Sequence, residues 1–334
     1  MLVLNDQEVR HALPMGEAIA AVKSAYRALS AGQAEVPLRL SLPVAPHQGV
    51  SLFMPAFVGG KDEALTVKVV SVFPRNPDRG LPTIYAAVLV LEPNTGRPLA
   101  LLEGGTLTAL RTGAASGAAT DALARADSRV LAVFGAGTQG RTQAEAVCTV
   151  RPIERVWVYD ISRERAEAFA AEMAGFGPIP NDVRVAETPQ QAVREADVIC
   201  TATVATQPVF NDADLKPGVH INGIGAYTPE MAEVPPQTVA RALVVVDSRT
   251  AALAEAGDLI QPIKTGIITP DHIHAELGEI LLGRKVSRTN AEQVTFFKSV
   301  GVAVQDAMAA QTALRNAQAQ GLGREISLFA EGAL

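Results

Sequence analysis

Arg129 to Gly140 reads RVLAVFGAGTQG, a short apolar run that passes directly into Gly135-x-Gly137-x-x-Gly140. A strand that enters a helix through such a turn presents backbone N–H groups and the positive end of the helix dipole to a negatively charged ligand. The first Gly permits the tight turn, the second lets the backbone approach a pyrophosphate, and the third lets helix and strand pack closely. Ala136, Thr138 and Gln139 fill the positions between and are candidates for the same contact. RVWVYD then reads as a second strand ending in Asp160, at the roughly 20-residue spacing where an acid accepts hydrogen bonds from the adenosine ribose. Ile161, Ser162 and Arg163 continue from it. The pattern predicts a dinucleotide cofactor on a Rossmann domain.

The chain around this motif has 334 residues, enough for two domains with full cores. Hydrophobic content is 48% with only 4% aromatics, so the core is Ala, Val, Leu and Ile. No apolar run approaches the length of about 20 residues that spans a bilayer, so no membrane segment is expected. The start, MLVLNDQEVRHALPMGEAIA, lacks the features of a signal peptide, and Cys148 and Cys200 are the only cysteines. A cytoplasmic protein without structural disulfides is expected. A net charge of −6 with no Lys/Arg cluster argues against nucleic acid as a partner.

Apolar period and punctuation place a helix over residues 14–31, with Ile19, Val22, Tyr26 and Leu29 at helical spacing and Gly32 as its stop. Strand patterns follow at LRLSLPV, VSLFMPAF, LTVKVVSVF, IYAAVLVLE and PLALLEG, the last two joined by the turn Pro93-Asn94-Thr95-Gly96. This predicts a small, mostly antiparallel β-domain. GTLTALRTGAASGAATDALAR reads as a tightly packed helix leading into the dinucleotide domain. There, strands at RVLAVF, RVWVYD, VRVAE, DVICTAT, VHINGIG and ALVVVD alternate with helices and make up a doubly wound α/β sheet of six strands. Thr201, Ala202, Thr203 and Val204, and likewise Ile224 and Gly225, lie where cofactor-contacting loops leave such a sheet. From about Ala291 the tail reads as helix and is expected to pack back on the first domain. The Rossmann domain, residues 119–304, is then an insertion into a smaller α+β substrate-binding and dimerisation domain of residues 1–118 plus 305–334.

Three isolated cations mark the substrate side. Arg39 is the only charged residue between Glu35 and Lys61, Lys68 lies inside LTVKVVSVF, and Arg111 is the only charge between Glu103 and Asp121. A cation in apolar surroundings is paired, neutralised or turned toward a ligand, because burying it alone costs several kcal/mol. No acid is adjacent in sequence to any of them. An anionic substrate site is therefore expected, with the planar forks of Arg39 and Arg111 on a carboxylate and Lys68 moving a proton. A nicotinamide beside such a substrate implies hydride transfer at the carbon next to the carboxylate. Asp306, in VGVAVQD, is read as either a pocket acid or a helix-surface charge, with a surface or supporting role preferred. His272 and His274, two apart, are read as lying on different faces of a helix, and no metal site is expected.

MPAF at 54–57, KVVSVFPRNPDRGLPT at 68–83, LEPNTGRPLALLEGGTLTALRTGAASGAAT at 91–120, VFGAGTQGRTQ at 133–143, INGIGAYTPEMAEV at 221–234 and FKSVGVAVQD at 297–306 together resemble the ornithine cyclodeaminase/μ-crystallin family. The resemblance covers nearly the whole chain. It implies a homodimer formed through the β-domain and a nicotinamide site between the domains. It supports the roles given to Arg39, Lys68 and Arg111, and adds Met54 as a pocket wall and Thr112 near the cofactor phosphates. It also places Ser299, Val300 and Gly301 by the nicotinamide.

Members of that family include cyclodeaminases, alanine and other amino-acid dehydrogenases, cyclic ketimine reductases and μ-crystallins. Ornithine cyclodeaminases carry an Asp two residues before a Pro after the last Gly-rich strand, where GAYTP has Tyr227. They also use an acid just beyond the Met-Pro of the second strand, and MPAFVGG offers none until Asp62. A side-chain ammonium would lack its partners. A cyclic imine needs only carboxylate clamps, an apolar wall and a proton donor. GAYTPEM is similar to the version of the motif in the ketimine reductases, so NAD(P)H-dependent reduction of Δ1-pyrroline-2-carboxylate or Δ1-piperideine-2-carboxylate is expected, with Tyr227 at the substrate. An amino-acid dehydrogenase, an ornithine cyclodeaminase and a non-enzymatic ligand-binding protein remain the alternatives. Asp160 favours NAD(H), and Arg163 keeps NADP(H) open.

Overall fold

Contacts divide the chain into two units, residues 1–111 with the segment from Ala303 onward, and residues 112–302. The computed structural model describes residues 1–328, so the last six positions expected in the first domain, 329–334, lie outside the described residues. The first unit opens on β1 (Leu2–Leu4), α1 (Asp6–Ala12) and α2 (Met15–Ser30). Asn5 starts α1 with a reciprocal cap: its side chain accepts from Glu8 N at 2.9 Å, and Glu8 accepts from Asn5 N at 2.9 Å. Then come β2 (Ala34–Glu35), β3 (Leu40–Val44), β4 (Gly49–Val58), β5 (Ala64–Val72), β6 (Ile84–Leu91) and β7 (Pro98–Glu103). Helix α3 (Gly104–Leu123) follows at once and crosses the boundary at Arg111. Its glycines are packing positions: a Cβ on Gly104 would lie 2.7 Å from the Ala86 backbone, and one on Gly113 would lie 2.5 Å from Thr142 O.

The second unit runs β8 (Val130–Phe134), α4 (Thr138–Val150), β9 (Arg155–Tyr159), α5 (Arg163–Met173), β10 (Val183–Val185), α6 (Pro189–Arg194), β11 (Val198–Thr201), β12 (His220–Gly223) and α7 (Pro236–Arg241). It continues with β13 (Leu243–Val246), α8 (Arg249–Glu255), α9 (Gly257–Lys264), β14 (Ile273–Glu276), α10 (Leu277–Leu281) and β15 (Thr295–Lys298). The sheet is parallel, in the order β10-β9-β8-β11-β12-β15-β13-β14. Alternate residues feed two cores: Ala132, Phe134, Ile199 and Phe296 on one face, Leu131, Val133, Val158 and Cys200 on the other. A strand buried on both faces reads as a continuous apolar run, which is why these strands were visible in the sequence. The chain steps from β8 out to β10, then returns to β11 on the other side, leaving a topological switch point at the C-terminal ends of β8 and β11.

The sheet corrects two expectations. It has eight strands, not six, because β14 and β15 join it. The segment after Ala291 is not helical at its start: Thr295–Lys298 is a central strand between β12 and β13, fully buried. Four residues carry no measurable period, and the adjacent Phe296 and Phe297 are both fully buried on opposite faces of the strand rather than on one helical stripe. His272 closes a 3₁₀ turn and His274 lies in β14, so the helix expected to carry both is absent; their Nε2 atoms meet Val239 O at 2.9 Å and Val286 O at 2.8 Å.

The chain ends its described part in the first unit with α11 (Ala303–Gln320) and β16 (Arg324–Glu325). That unit's sheet runs β16-β1-β7-β6-β5-β4-β2, with β3 also on β4. Pairing through β3, β4, β5, β6 and β7 is antiparallel, while β1 lies parallel to β7. Helix α11 packs on β4, β5 and β6 and against α2. In register across the strands, Met54 stands opposite Lys68 and Lys68 opposite Val88, all three buried.

Candidate functional site

Chemistry-bearing side chains gather in two places, one in each unit. In the first, Lys68 projects from the middle of β5 into the layer under α11 and is buried. Its Nζ lies 2.7 Å from Asp306 Oδ2. Asp306 Oδ1 accepts from Arg111 Nε at 3.0 Å, and Arg111 Nη1 donates to Gln305 Oε1 at 3.1 Å. Gln305 Nε2 in turn donates to Tyr26 Oη at 2.9 Å, anchoring the chain of contacts in α2. Asp306 is therefore the shared counter-ion of two cations, and its reading as a surface charge is overturned. The signal was available: Asp306 is the only charged residue between Lys298 and Arg315.

Burial pushes Lys68 down to about 8; the Asp306 carboxylate pulls it up, and the Arg111 and Arg39 charges push it down. Burial acts to raise Asp306, but Arg111 and Lys68 outweigh it and hold the carboxyl below its usual range. Met54 provides an apolar neighbour directly opposite Lys68. Arg39, half-buried, sits just before β3 and reaches this group through its charge.

In the second unit, a cavity lies over the C-terminal ends of β8, β9 and β11, lined among others by Gly135, Gly137, Asp160, Ile161, Thr203 and Val204. Ala202 lines it as well. Gly135 takes a φ of +97°, and a Cβ there would sit 2.5 Å from Ala202 O. A Cβ on Gly140 would meet Gly135 O at 2.0 Å, whereas one on Gly137 would meet nothing within 4 Å. Gly137 caps α4 and no side chain caps the helix start, so the N–H groups of Thr138 and Gln139 are left to a ligand. Asp160 Oδ2 accepts from Ala136 N and Oδ1 from Ser162 N, both at 2.9 Å, which fixes the acid at the cavity edge. Open space at Gly137, an uncapped helix start and an acid pinned at the rim together fit a dinucleotide.

Other expected cofactor residues are placed differently. Arg163 points outward from the first turn of α5 and bonds Glu167 at 2.8 Å, while Arg165, which sequence reading passed over, lines the cavity. Thr201 has no exposed surface, and its hydroxyl donates to Glu233 Oε2 at 3.0 Å, so it meets Glu233 and not the cavity. Gly225 N donates to the same oxygen at 2.7 Å, and Ile224 beside it is buried. Ser299, Val300 and Gly301 are gathered on Asp247 Oδ2, from Ser299 Oγ at 2.8 Å and the two backbone nitrogens at 2.9 and 2.8 Å. Thr112 is buried on α3, and Tyr227, half-exposed, lies in the loop after β12. Glu233 and Asp247, which organise these loops, were not singled out from sequence; both are acids within apolar stretches that close on the sheet edge.

Among the described residues no helix is long and apolar enough to cross a membrane. Residues 1–321 match the ornithine cyclodeaminase/mu-crystallin family. The chain is 44% identical over 328 residues to a Delta(1)-pyrroline-2-carboxylate reductase of Bacillus cereus, covering 98% of this chain and 99% of that one. Its fold is similar, at a TM-score of 0.92 and 43% identity, to the Delta(1)-pyrroline-2-carboxylate reductase of Thermococcus litoralis solved with NADH and L-proline, covering 98% of this chain and 100% of that one. It is also similar to an archaeal alanine dehydrogenase dimer with bound NAD, at a TM-score of 0.90 and 34% identity, over 98% and 99% of the two chains. With one unit a doubly wound parallel sheet, the other pairing a buried lysine and arginine on one aspartate, and the family match running along residues 1–321, this chain is a member of the ornithine cyclodeaminase/mu-crystallin family.

Proposed function

We propose that this protein reduces a cyclic ketimine carboxylate, Δ1-pyrroline-2-carboxylate or Δ1-piperideine-2-carboxylate, to L-proline or L-pipecolate with NADH. The Lys68–Asp306–Arg111 cluster carries the reading, because it sets a proton donor and a carboxylate clamp within one buried group. Arg111 uses Nε and Nη1 on Asp306 and Gln305, so its Nη2 edge is the one that meets the substrate carboxylate, with Arg39 as the second cation. Met54 supplies the apolar wall beside Lys68. With a pKa of about 8, Lys68 is mostly protonated at neutral pH and close enough to it to give the proton up. When bound, reduced nicotinamide supplies a hydride to the imine carbon. Lys68 delivers the proton to nitrogen as C=N becomes C–N, and water restores the ammonium.

Similarity to reductases named for this substrate, one solved with NADH and L-proline, supports both the substrate class and NAD(H). Gly135, Gly137 and the start of α4 hold the pyrophosphate and Asp160 the ribose hydroxyls in this reading. Asp160, pinned at the rim by Ala136 N and Ser162 N, accepts ribose hydroxyls and repels a 2′-phosphate, so NADH is the preferred donor although Arg165 lines the same cavity. The molecule works as a homodimer through the face of the β-sheet opposite Lys68, which exposes Leu40, Leu42 and Tyr85. Cys148 and Cys200 are buried free thiols, in keeping with the cytoplasm.

The test follows NADH absorbance with each cyclic imine and, in parallel, with pyruvate plus ammonia, while release of ammonia from ornithine in the presence of NAD+ is measured separately. Rapid oxidation with an imine is expected. Turnover confined to pyruvate and ammonia would overturn the reading in favour of an amino-acid dehydrogenase.

A further inference from the structure

We propose that Glu233 is a positioning residue for the dinucleotide site: its buried carboxylate sets the backbone of the loops after β11 and β12, and the Asp258–Lys298 ion pair holds Glu233 in place. The inference rests on the reading of this unit as the NADH-binding one.

Glu233 has no exposed surface. Its Oε1 accepts from Thr203 N at 2.6 Å and Thr203 Oγ1 at 2.8 Å; its Oε2 accepts from Thr201 Oγ1 at 3.0 Å, Gly225 N at 2.7 Å and Ala226 N at 3.0 Å. Burial pushes Glu233 above its usual range and the Lys298 charge opposes that, but both oxygens accept from backbone N–H groups, which can only donate, as an ionised carboxylate requires. Thr201 ends β11 and Thr203 lies in the loop that leaves it, while Gly225 and Ala226 lie in the loop leaving β12, so one side chain spans two adjacent strand ends. The fit has no slack: a Cβ on Gly225 would lie 2.1 Å from Thr203 O and 2.4 Å from Glu233 Oε1.

Glu233 is itself held from behind. Asp258 Oδ1 accepts from Glu233 N at 2.7 Å and Val234 N at 3.0 Å, and Lys298 Nζ lies 3.0 Å from Asp258 Oδ2, both side chains fully buried. Lys298 ends β15, immediately before the Ser299–Gly301 turn that Asp247 collects. The lysine therefore supplies the positive charge that lets two buried acids stand together. Thr203 lines the dinucleotide cavity while its N–H and hydroxyl are both committed to Glu233, so the cavity wall depends on a residue that does not line it. Such fixed loops bind a ligand without ordering cost at the moment of binding.

Glu233→Gln is the sharp test, because either orientation of the amide turns an NH2 against a backbone N–H, that of Thr203 or those of Gly225 and Ala226. Cofactor affinity is read by energy transfer to NADH from Trp157, the chain's single tryptophan. E233Q is expected to raise the NADH Kd about tenfold or more, the effect of stranding one buried donor, while the imine KM at saturating NADH stays within about twofold. Thr201→Val, an isosteric change at a position with no exposed surface, is expected to raise the NADH Kd by about three- to fivefold and to add little to E233Q, since its effect passes through the same carboxylate. T201V keeps the question open to measurement if E233Q does not fold. An NADH Kd within about twofold of wild type in either variant, or equal loss of NADH and imine affinity with a lowered Tm, overturns the proposal. Wild-type protein that binds no NADH overturns the dinucleotide reading and this inference with it.

Discussion

Lys68 Nζ lies 2.7 Å from Asp306 Oδ2, and the same carboxylate holds Arg111 through its other oxygen at 3.0 Å. One acid on α11 thus sets both the charge state of a lysine on β5 and the aim of an arginine on α3. Burial lowers Lys68 to about 8, while Asp306 opposes that fall and Arg111 and Arg39 deepen it.

In the proposed mechanism only the charged form of Lys68 donates the proton, so imine reduction is expected to fall as pH rises through about 8. Asp306→Asn removes an upward influence and leaves burial, Arg111 and Arg39, all of which act downward. The basic limb of kcat/KM must then move to lower pH. A pH-rate series on both proteins checks this; an unmoved limb in D306N would show that Lys68 is not the group being titrated.

Asp306→Ala leaves two buried cations facing each other with no counter-charge. Removing one partner of a buried ion pair typically costs about 3–5 kcal/mol, and the same order is expected here in urea unfolding. Arg163→Ala, by contrast, removes an exposed pair with Glu167 and is expected to change neither stability nor the NADH-to-NADPH ratio of kcat/KM. A marked shift in that ratio would return Arg163 to the cofactor site.

The two cations and the acid of this cluster differ in how visible they are in sequence. Lys68 and Arg111 stand alone in long apolar stretches, and lone charges in such stretches announce a buried partner or a ligand. Asp306 stands equally alone, yet its partners come from β5 and α3, far away in sequence, and no local period reveals that meeting. The glycine turn at 135–140 was legible because its residues are demanded by local backbone geometry. Thr295–Lys298 was not, because a four-residue strand is shorter than any period that would distinguish it, and its place between β12 and β13 is decided by the sheet. Glu233 and Asp247 are the same case at the level of the site: what they bind is backbone N–H, which every sequence contains and none displays.

Assembly gives a further expectation. Leu40 faces Phe53 across β3 and β4, and Leu42 faces Ser51, on the side of the sheet away from Met54 and Lys68. Leu40 and Leu42 are 64% and 53% exposed and share that face with exposed Tyr85, an apolar patch suited to a partner subunit. The double variant Leu40→Glu/Leu42→Glu is expected to elute as a monomer where wild type is a dimer, with light scattering as the measurement. A wild-type monomer, or a dimer that survives both charges, removes this face from the assembly.

The glycines of the nucleotide turn separate folding from binding. A Cβ on Gly140 would fall 2.0 Å from Gly135 O, a backbone atom that cannot swing aside, so Gly140→Ala must spread α4 from β8. Overpacking of this kind costs about 1–3 kcal/mol and is expected to lower Tm as well as NADH affinity. A Cβ on Gly137 meets nothing within 4 Å and its φ of −82° suits any residue, so Gly137→Ala has no reason to unfold the protein. In the proposed cofactor site the new methyl group occupies the space in which the pyrophosphate would approach the start of α4. Gly137→Ala is therefore expected to keep the wild-type Tm while weakening NADH by about tenfold or more, a loss that direct titration distinguishes from instability. An unchanged NADH Kd in G137A would mean that the phosphates do not pass over this turn, and with it the reading of Gly135–Gly140 as the cofactor cradle would fall.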